Sequence, residues 1–142
     1  MNKPMKKLLK ISQFDMVGLF HKKFGLPTAD TQPLGMIDND AFKFREGFLQ
    51  EELDELGDAH YAGDLAGVAD ALADLVYVAL GTAHMYGIPF DKVFEVVHAA
   101  NMKKVRAASA MESKRSSQLD VVKPAGWLPP DIGGVLRRKT NA

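Results

Sequence analysis

An apolar segment from Leu65 to Ala83 constrains the fold of this chain more than any other stretch. It reads LAGVADALADLVYVALGTA, and its strongly polar groups are limited to two aspartates, a tyrosine hydroxyl and a threonine. A run of this length that is apolar on nearly every side predicts a buried helix at the centre of an all-α fold. The segment approaches the length of a membrane span, but two aspartates within it argue against insertion.

The two aspartates of this segment, Asp70 and Asp74, are four residues apart and share a helix face with Tyr77. Two carboxylates on a buried helix repel each other unless a cation or hydrogen-bond donors compensate them. We expect water to be excluded from both. Neutralisation by lysine or arginine is one interpretation, and a bound metal ion is the more economical one.

A second acidic stretch precedes this segment and contains Glu51, Glu52 and Glu55. On a helix, Glu52 and Glu55 lie at the edge of the apolar stripe and Glu51 lies beyond it. By itself this pattern is typical of a solvated acidic face. However, Lys43 and Arg45 are the only basic residues between positions 38 and 85 apart from histidines. Because carboxylate oxygens suit hard cations, both acidic stretches together predict a Mg²⁺ site, with Mn²⁺ as the alternative ion.

The composition excludes several other classes of function. Lysine plus arginine and aspartate plus glutamate both number 18, so no net charge attracts nucleic acid or a membrane surface. The chain has no cysteine, which excludes thiolate nucleophiles and zinc–thiolate sites. Its start is basic, without an apolar run of signal-peptide length. We therefore expect a cytoplasmic protein of one domain, residues 1–142, with no nucleic-acid or membrane partner.

Capping residues and glycine–proline stops predict four main helices. The predicted core spans about residues 12–108, and an irregular C-terminal arm of residues 109–142 follows it. The polar stretch 109–122 lacks helical periodicity, so we expect it to be mobile. The predicted helices run from Ser12 to about Phe24, from Asp38 or Asn39 to about Ala62, from Asp64 to near Gly87, and from about Pro89 to about Ala108.

Four residues outside the acidic stretches are candidates for substrate contacts. Asn101 and Lys104 project into the apolar stripe of the fourth predicted helix, where they need polar or anionic partners. Lys123 and Trp127 lie in a proline-rich segment, where lysine suits phosphate and indole suits a base or sugar. The alternative is a tail that packs its tryptophan against the helices.

The ordered acidic residues resemble the signature of the all-α nucleoside triphosphate pyrophosphohydrolases of the MazG-like superfamily, which includes dimeric dUTPases and phosphoribosyl-ATP pyrophosphohydrolase. The residues that carry the resemblance are Glu51-Glu52-Leu-Asp-Glu55 and Asp70-Ala-Leu-Ala-Asp74-Leu-Val-Tyr77, with Phe20-His-Lys-Lys-Phe24-Gly, Gly81-Thr-Ala, Val97-His98-Ala-Ala-Asn101-Met-Lys-Lys104 and Lys123-Pro-Ala-Gly-Trp127. One position departs from the pattern, because Ala71 stands where the family commonly has a glutamate.

The resemblance implies a four-helix-bundle-type MazG-like fold that forms a homodimer or homotetramer. It also implies Mg²⁺-dependent hydrolysis of a nucleoside triphosphate, dUTP or another dNTP, to a monophosphate and pyrophosphate. The implied magnesium site is Glu51, Glu52, Glu55 and Asp74, with Asp70 substituting for the missing glutamate and Glu51 as candidate base. The implied base and phosphate contacts are Asn101, Lys104, Lys123 and Trp127.

Two alternatives to this function stay open. One is phosphoribosyl-ATP pyrophosphohydrolase activity itself. The other is a non-catalytic helical dimer that binds nucleotide or metal, which the alanine at position 71 favours.

Overall fold

The computed structural model describes residues 11–141, and this part of the chain is mostly helical. The all-α class is therefore confirmed. Residues 1–10, where the sequence predicts no signal peptide, lie outside the described residues. The helices are α1 (Gln13–Lys23), α2 (Asn39–Tyr61), α3 (Leu65–Met85), α4 (Phe90–Asn101) and α5 (Ile132–Thr140); the other elements are strands β1 (Val105–Arg106) and β2 (Val121–Val122) and a 3₁₀ turn (Ala110–Glu112).

The starts of α1, α2 and α3 are the predicted ones because each has a local side-chain cap. Ser12 accepts a hydrogen bond from the Asp15 amide at 3.0 Å. Asp38 caps α2 through the Ala41 amide at 2.8 Å, and Asp64 caps α3 through the Gly67 amide at 2.9 Å. Each cap satisfies an amide that would otherwise lack a partner in the first helical turn.

The chain divides at Phe90 into two compact units. In the first unit α2 packs along α3, and α1 packs against α3 as well. Gly63, with φ +69°, makes the tight turn that joins α2 to α3, so these helices form an antiparallel hairpin. The hydrophobic core of this unit is small, and it consists of Phe14, Val17, Ala29, Leu80 and Ala83, with Ile88 and Phe90 packed against them.

A buried histidine joins three parts of the first unit. Nδ1 of His84 accepts a hydrogen bond from the Ala29 amide at 2.9 Å, so Nε2 carries the proton and donates to the Phe14 carbonyl at 2.8 Å. The imidazole also stacks on the Phe14 ring, with 3.8 Å between centroids. A Cβ at Gly18 would lie 3.0 Å from this imidazole, so a larger residue there would have to displace the ring slightly.

The prediction that α3 is buried on nearly every side is wrong for the single chain. Leu65 is 80% exposed, Leu72 49% and Val76 47%. By length and composition α3 could cross a membrane, although core helices of globular proteins have the same composition. The buried residues of α3 are instead Ala71, Val78, Leu80, Gly81, Ala83 and His84.

In the second unit, the prediction that the fourth helix continues to about Ala108 is also wrong. Helix α4 ends at Asn101, and β1 pairs with β2 in antiparallel register, Val105 opposite Val122. The stretch 109–122 contains the 3₁₀ turn and strand β2, and its expected mobility stays a prediction. Within the connection, Asp120 accepts hydrogen bonds from Ser113 at 2.7 Å and from Arg115 at 2.9 Å.

The C-terminal arm is not irregular throughout, which corrects the predicted boundary of helical structure. Helix α5 follows the proline-rich segment and begins at Ile132. Asp131 caps it by accepting a hydrogen bond from the Gly134 amide at 2.9 Å. Adjacent glycines in its first turn lower helix propensity, and this masked the helix in the sequence.

Candidate active site

Arg45 connects α2 to α3 near the predicted acidic site. Its Nε donates to Thr82 Oγ1 at 3.0 Å, and its Nη2 donates to the Val78 carbonyl at 2.9 Å. The side chain is buried, and burial lowers the pKa of its guanidinium from the ordinary value. None of the ion pairs seen among residues 11–141 involves a carboxylate of α2 or α3. This buried cation therefore binds neutral oxygens of α3.

The contact of Arg45 fixes the register of the helix pair. Glu52 follows Arg45 by seven residues, about two helical turns, and so lies on the same face of α2. Ala71 precedes Val78 by the same seven residues on α3. Because the two helices are antiparallel, this spacing places Glu52 level with Ala71 and Asp74.

Glu52 is a buried carboxylate of the first unit. It is only 8% exposed, and its Oε2 atom is buried without a hydrogen-bond partner in the described part of the chain. Burial, and then the nearby charges of Glu55, Asp74 and Glu51, raise the pKa of its carboxyl. Four of the five acidic residues predicted as ligands therefore interact electrostatically.

The fifth residue, Asp70, differs from the other four. We expected water to be excluded from Asp70 and Asp74, but Asp70 is exposed and Asp74 is only half-buried. The physical reason is rotation about α3, since Asp70 lies about 100° from Ala71, whereas Asp74 lies about 60° from it. The charge of Asp70 is not among those that raise the pKa of Glu52.

The carboxylate oxygens of these residues are the ligands that a hard cation prefers, but their positions do not surround a single point. Across residues 11–141, no three histidine, aspartate or glutamate side chains converge closely enough to bind a metal ion. Within residues 11–141, Glu52 Oε2 nevertheless lacks the partner that a buried carboxylate oxygen requires, and an ion would supply it. Glu51 and Glu55 are exposed, and their charges act on Glu52.

Three of the four predicted substrate-contact residues lie together in the second unit. The indole Nε1 of Trp127 donates to the Ala100 carbonyl at 2.8 Å, at the end of α4. The ammonium groups of Lys123 and Lys104 lie 4.9 Å and 5.4 Å from the centre of the indole ring. Asn101 is exposed on the same end of α4. Two cations on one aromatic ring form a group suited to an anionic ligand that has a planar part.

Sequence reasoning missed two buried residues, His21 and Arg45, whose side chains donate hydrogen bonds to backbone carbonyls. Helical spacing places His21 on the apolar face of α1, but the sequence does not reveal its partner. Its Nδ1 lies 2.6 Å from the Pro27 carbonyl, to which it donates. Burial lowers the pKa of His21; the bond to Pro27 opposes this shift, and the charges of His84 and Arg45 add to it. No sequence signal distinguishes Arg45 as a buried residue.

Comparison with known proteins decides the family. The model of the phosphoribosyl-ATP pyrophosphohydrolase family matches residues 17–101, more than half of the chain. The chain belongs to this family. It lies within the MazG-like superfamily of nucleotide pyrophosphohydrolases, so the resemblance seen in the sequence is confirmed, and membership supports nucleotide pyrophosphohydrolase activity in general.

An uncharacterized protein, L479, of Acanthamoeba polyphaga mimivirus is 31% identical over 84 residues. These residues are 58% of this chain and 34% of the viral protein, so the matched part spans about a third of that relative.

The family match covers only part of the candidate site residues. It includes all five acidic residues and Asn101, which is its last matched position. It does not extend to Lys104, Lys123 or Trp127. For these three, the contacts around the indole ring are the support for a shared role.

Proposed function

We propose that this protein hydrolyses a nucleoside triphosphate, dUTP or another dNTP, between the α and β phosphates and depends on Mg²⁺. The products are a nucleoside monophosphate and pyrophosphate. The observation that carries the proposal is the buried Oε2 of Glu52, which has no partner in the described part of the chain and lies beside three further carboxylates. The chain belongs to the phosphoribosyl-ATP pyrophosphohydrolase family.

Glu52, Glu55 and Asp74 would hold the cation, since all three interact through their charges. When bound, Mg²⁺ polarises a phosphoryl oxygen and lowers the pKa of a bound water. Burial and the neighbouring carboxylates raise the pKa of Glu52, and a bound cation would oppose both effects by favouring the carboxylate form.

Glu51 is the proposed general base because it is exposed at the rim of the acidic group. Its carboxylate accepts a proton from the attacking water as the water oxygen bonds to the α-phosphorus. The bond from the α-phosphorus to the bridging oxygen breaks, and pyrophosphate leaves with that oxygen. Positioning of the water and charge compensation on the phosphoryl oxygens supply most of the rate enhancement in such reactions.

Lys104 and Lys123 are proposed to bind the outer phosphates, and Trp127 the sugar or base. Asn101 is proposed to hydrogen-bond the base. The support is that both ammonium groups lie against the same indole ring, which the Ala100 carbonyl orients.

The deciding experiment is a pyrophosphate-release assay with Mg²⁺ over a panel of dNTPs, NTPs and phosphoribosyl-ATP. Glu52→Gln and Asp74→Asn should each lower kcat/KM by about 100-fold or more. Asp54→Asn is the matched control, because this exposed α2 carboxylate bonds Gln50 instead of the acidic group. Turnover that survives both site substitutions would refute the assignment.

The same panel separates the alternatives. Turnover of phosphoribosyl-ATP alone would assign the activity that the family description names. Nucleotide binding without pyrophosphate release would indicate the non-catalytic binding protein.

A homodimer or homotetramer is part of the proposal. Its support is the exposed apolar surface of α1 and α3, which includes Leu19, Leu72 and Val76. Light scattering that gives a mass near the 15.6 kDa of one chain would contradict it.

A further inference from the structure

Position 71 is the place on α3 that lies opposite Glu52, and it carries only a methyl group. Ala71 is 2% exposed and shares the α2-facing side of α3 with Val78 and Thr82, the two residues that Arg45 contacts. These two lie within about 20° of Ala71 around the helix axis. A side chain at position 71 is therefore the one that points most directly at the acidic residues of α2.

The two aspartates of α3 differ in burial and in their angular distance from position 71. Asp74 is half-buried, and its charge acts on Glu52. Asp70 lies further round the helix and is exposed. Glu52, whose buried Oε2 has no hydrogen-bond partner within residues 11–141, thus has one α3 carboxylate among the charges that act on it.

We infer that a divalent cation bound at this site takes its α3 ligand from Asp74 alone, and that Asp70 does not bind it. The inference rests on the proposed function only in assuming a cation site at Glu52. Magnesium-like ions require about six oxygen ligands and commonly retain waters beside one or two carboxylates. The sites not filled by Glu52, Glu55 and Asp74 are left to water and to ligand phosphates.

The test is direct binding of Mn²⁺, added alone to the metal-free full-length chain, with free Mn²⁺ followed by electron paramagnetic resonance. Asp74→Asn should weaken binding by about tenfold or more, because affinity follows the number of charged ligands. Asp70→Asn should change it by less than about twofold. Equal losses for the two variants, or no Mn²⁺ uptake by the wild type, would overturn the inference.

A second experiment adds a carboxylate at position 71. Ala71→Glu adds a carboxylate opposite Glu52, and Ala71→Gln adds the same volume without charge. The glutamate variant should bind Mn²⁺ more tightly than the glutamine variant, with circular dichroism showing that both fold. Equal binding by two folded variants would count against the inference, and if either variant fails to fold, the aspartate pair decides the question.

The Mn²⁺-binding test and the pyrophosphate-release test can fail independently of each other. The expected Mn²⁺ pattern without pyrophosphate release would refute the enzyme and leave the ligand assignment standing. Pyrophosphate release with equal sensitivity to Asp70→Asn and Asp74→Asn would do the reverse.

Discussion

Replacing His84 by phenylalanine tests the polar anchor of the first unit. The substitution keeps a ring that can stack on Phe14 and removes both imidazole hydrogen bonds. The Ala29 amide loses its acceptor in a buried position, at a cost of about 2 kcal/mol. The Phe14 carbonyl keeps its helical bond and loses an interaction of about 1 kcal/mol. The free energy of unfolding should therefore fall by about 3 kcal/mol.

Urea unfolding followed by circular dichroism measures this change, and the slope of the transition should stay constant. A loss of 3 kcal/mol corresponds to a decrease in Tm of about 10 °C for a domain of this size. His60→Phe is the control, because His60 is exposed on α2 and should change stability by less than about 0.5 kcal/mol. A loss below about 1 kcal/mol for His84→Phe would refute the idea that these bonds stabilise the unit.

Three further predictions concern single side chains. Without metal, Glu52→Gln should raise Tm at pH 7. Because the pKa of Glu52 is raised, the stability of the wild type falls as pH rises above the ordinary pKa of 4.5. In thermal melts across pH, the difference between the two proteins should therefore vanish near pH 4. The wild type should lose stability as pH falls below 6.5, because the pKa of His21 is lowered in the folded protein. His21→Asn, which keeps a donor for the Pro27 carbonyl, should reduce this loss. An unchanged slope of Tm against pH in the same melts would exclude this role. Trp127→Phe should lower the free energy of unfolding in urea by about 1 kcal/mol, because a ring stays near the two lysines while the hydrogen bond to Ala100 is lost. A neutral result would show that this bond contributes nothing.

Local signals in the sequence were sufficient for the helix starts. Ser12, Asp38 and Asp64 cap amides three residues ahead of them, so neighbouring residues determine these boundaries. The end of α4 was not predictable in this way. It depends on the pairing of Val105 with Val122, and that partner is far along the chain.

The cluster of Glu51, Glu52, Glu55 and Asp74 was predictable as a set of residues, and its geometry was less so. Helical spacing places Asp70 and Asp74 on one strip, but it does not show which side of α3 faces α2. That direction depends on Arg45, whose bonds to Val78 and Thr82 are tertiary contacts without a sequence signature. The same contacts place Asp70 in solvent.

The bonds of Arg45 to neutral oxygens have a consequence for local stability along the α2–α3 hairpin. At the level of Val78 and Thr82, a buried guanidinium ties the two helices together whatever the solvent contains. Two turns away, the buried carboxyl of Glu52 lies among the charges of Glu55, Asp74 and Glu51, and its Oε2 has no hydrogen-bond partner within residues 11–141. We therefore expect the helix contact to be better satisfied at the level of Arg45 than at the level of Glu52, so local stability should differ along the hairpin.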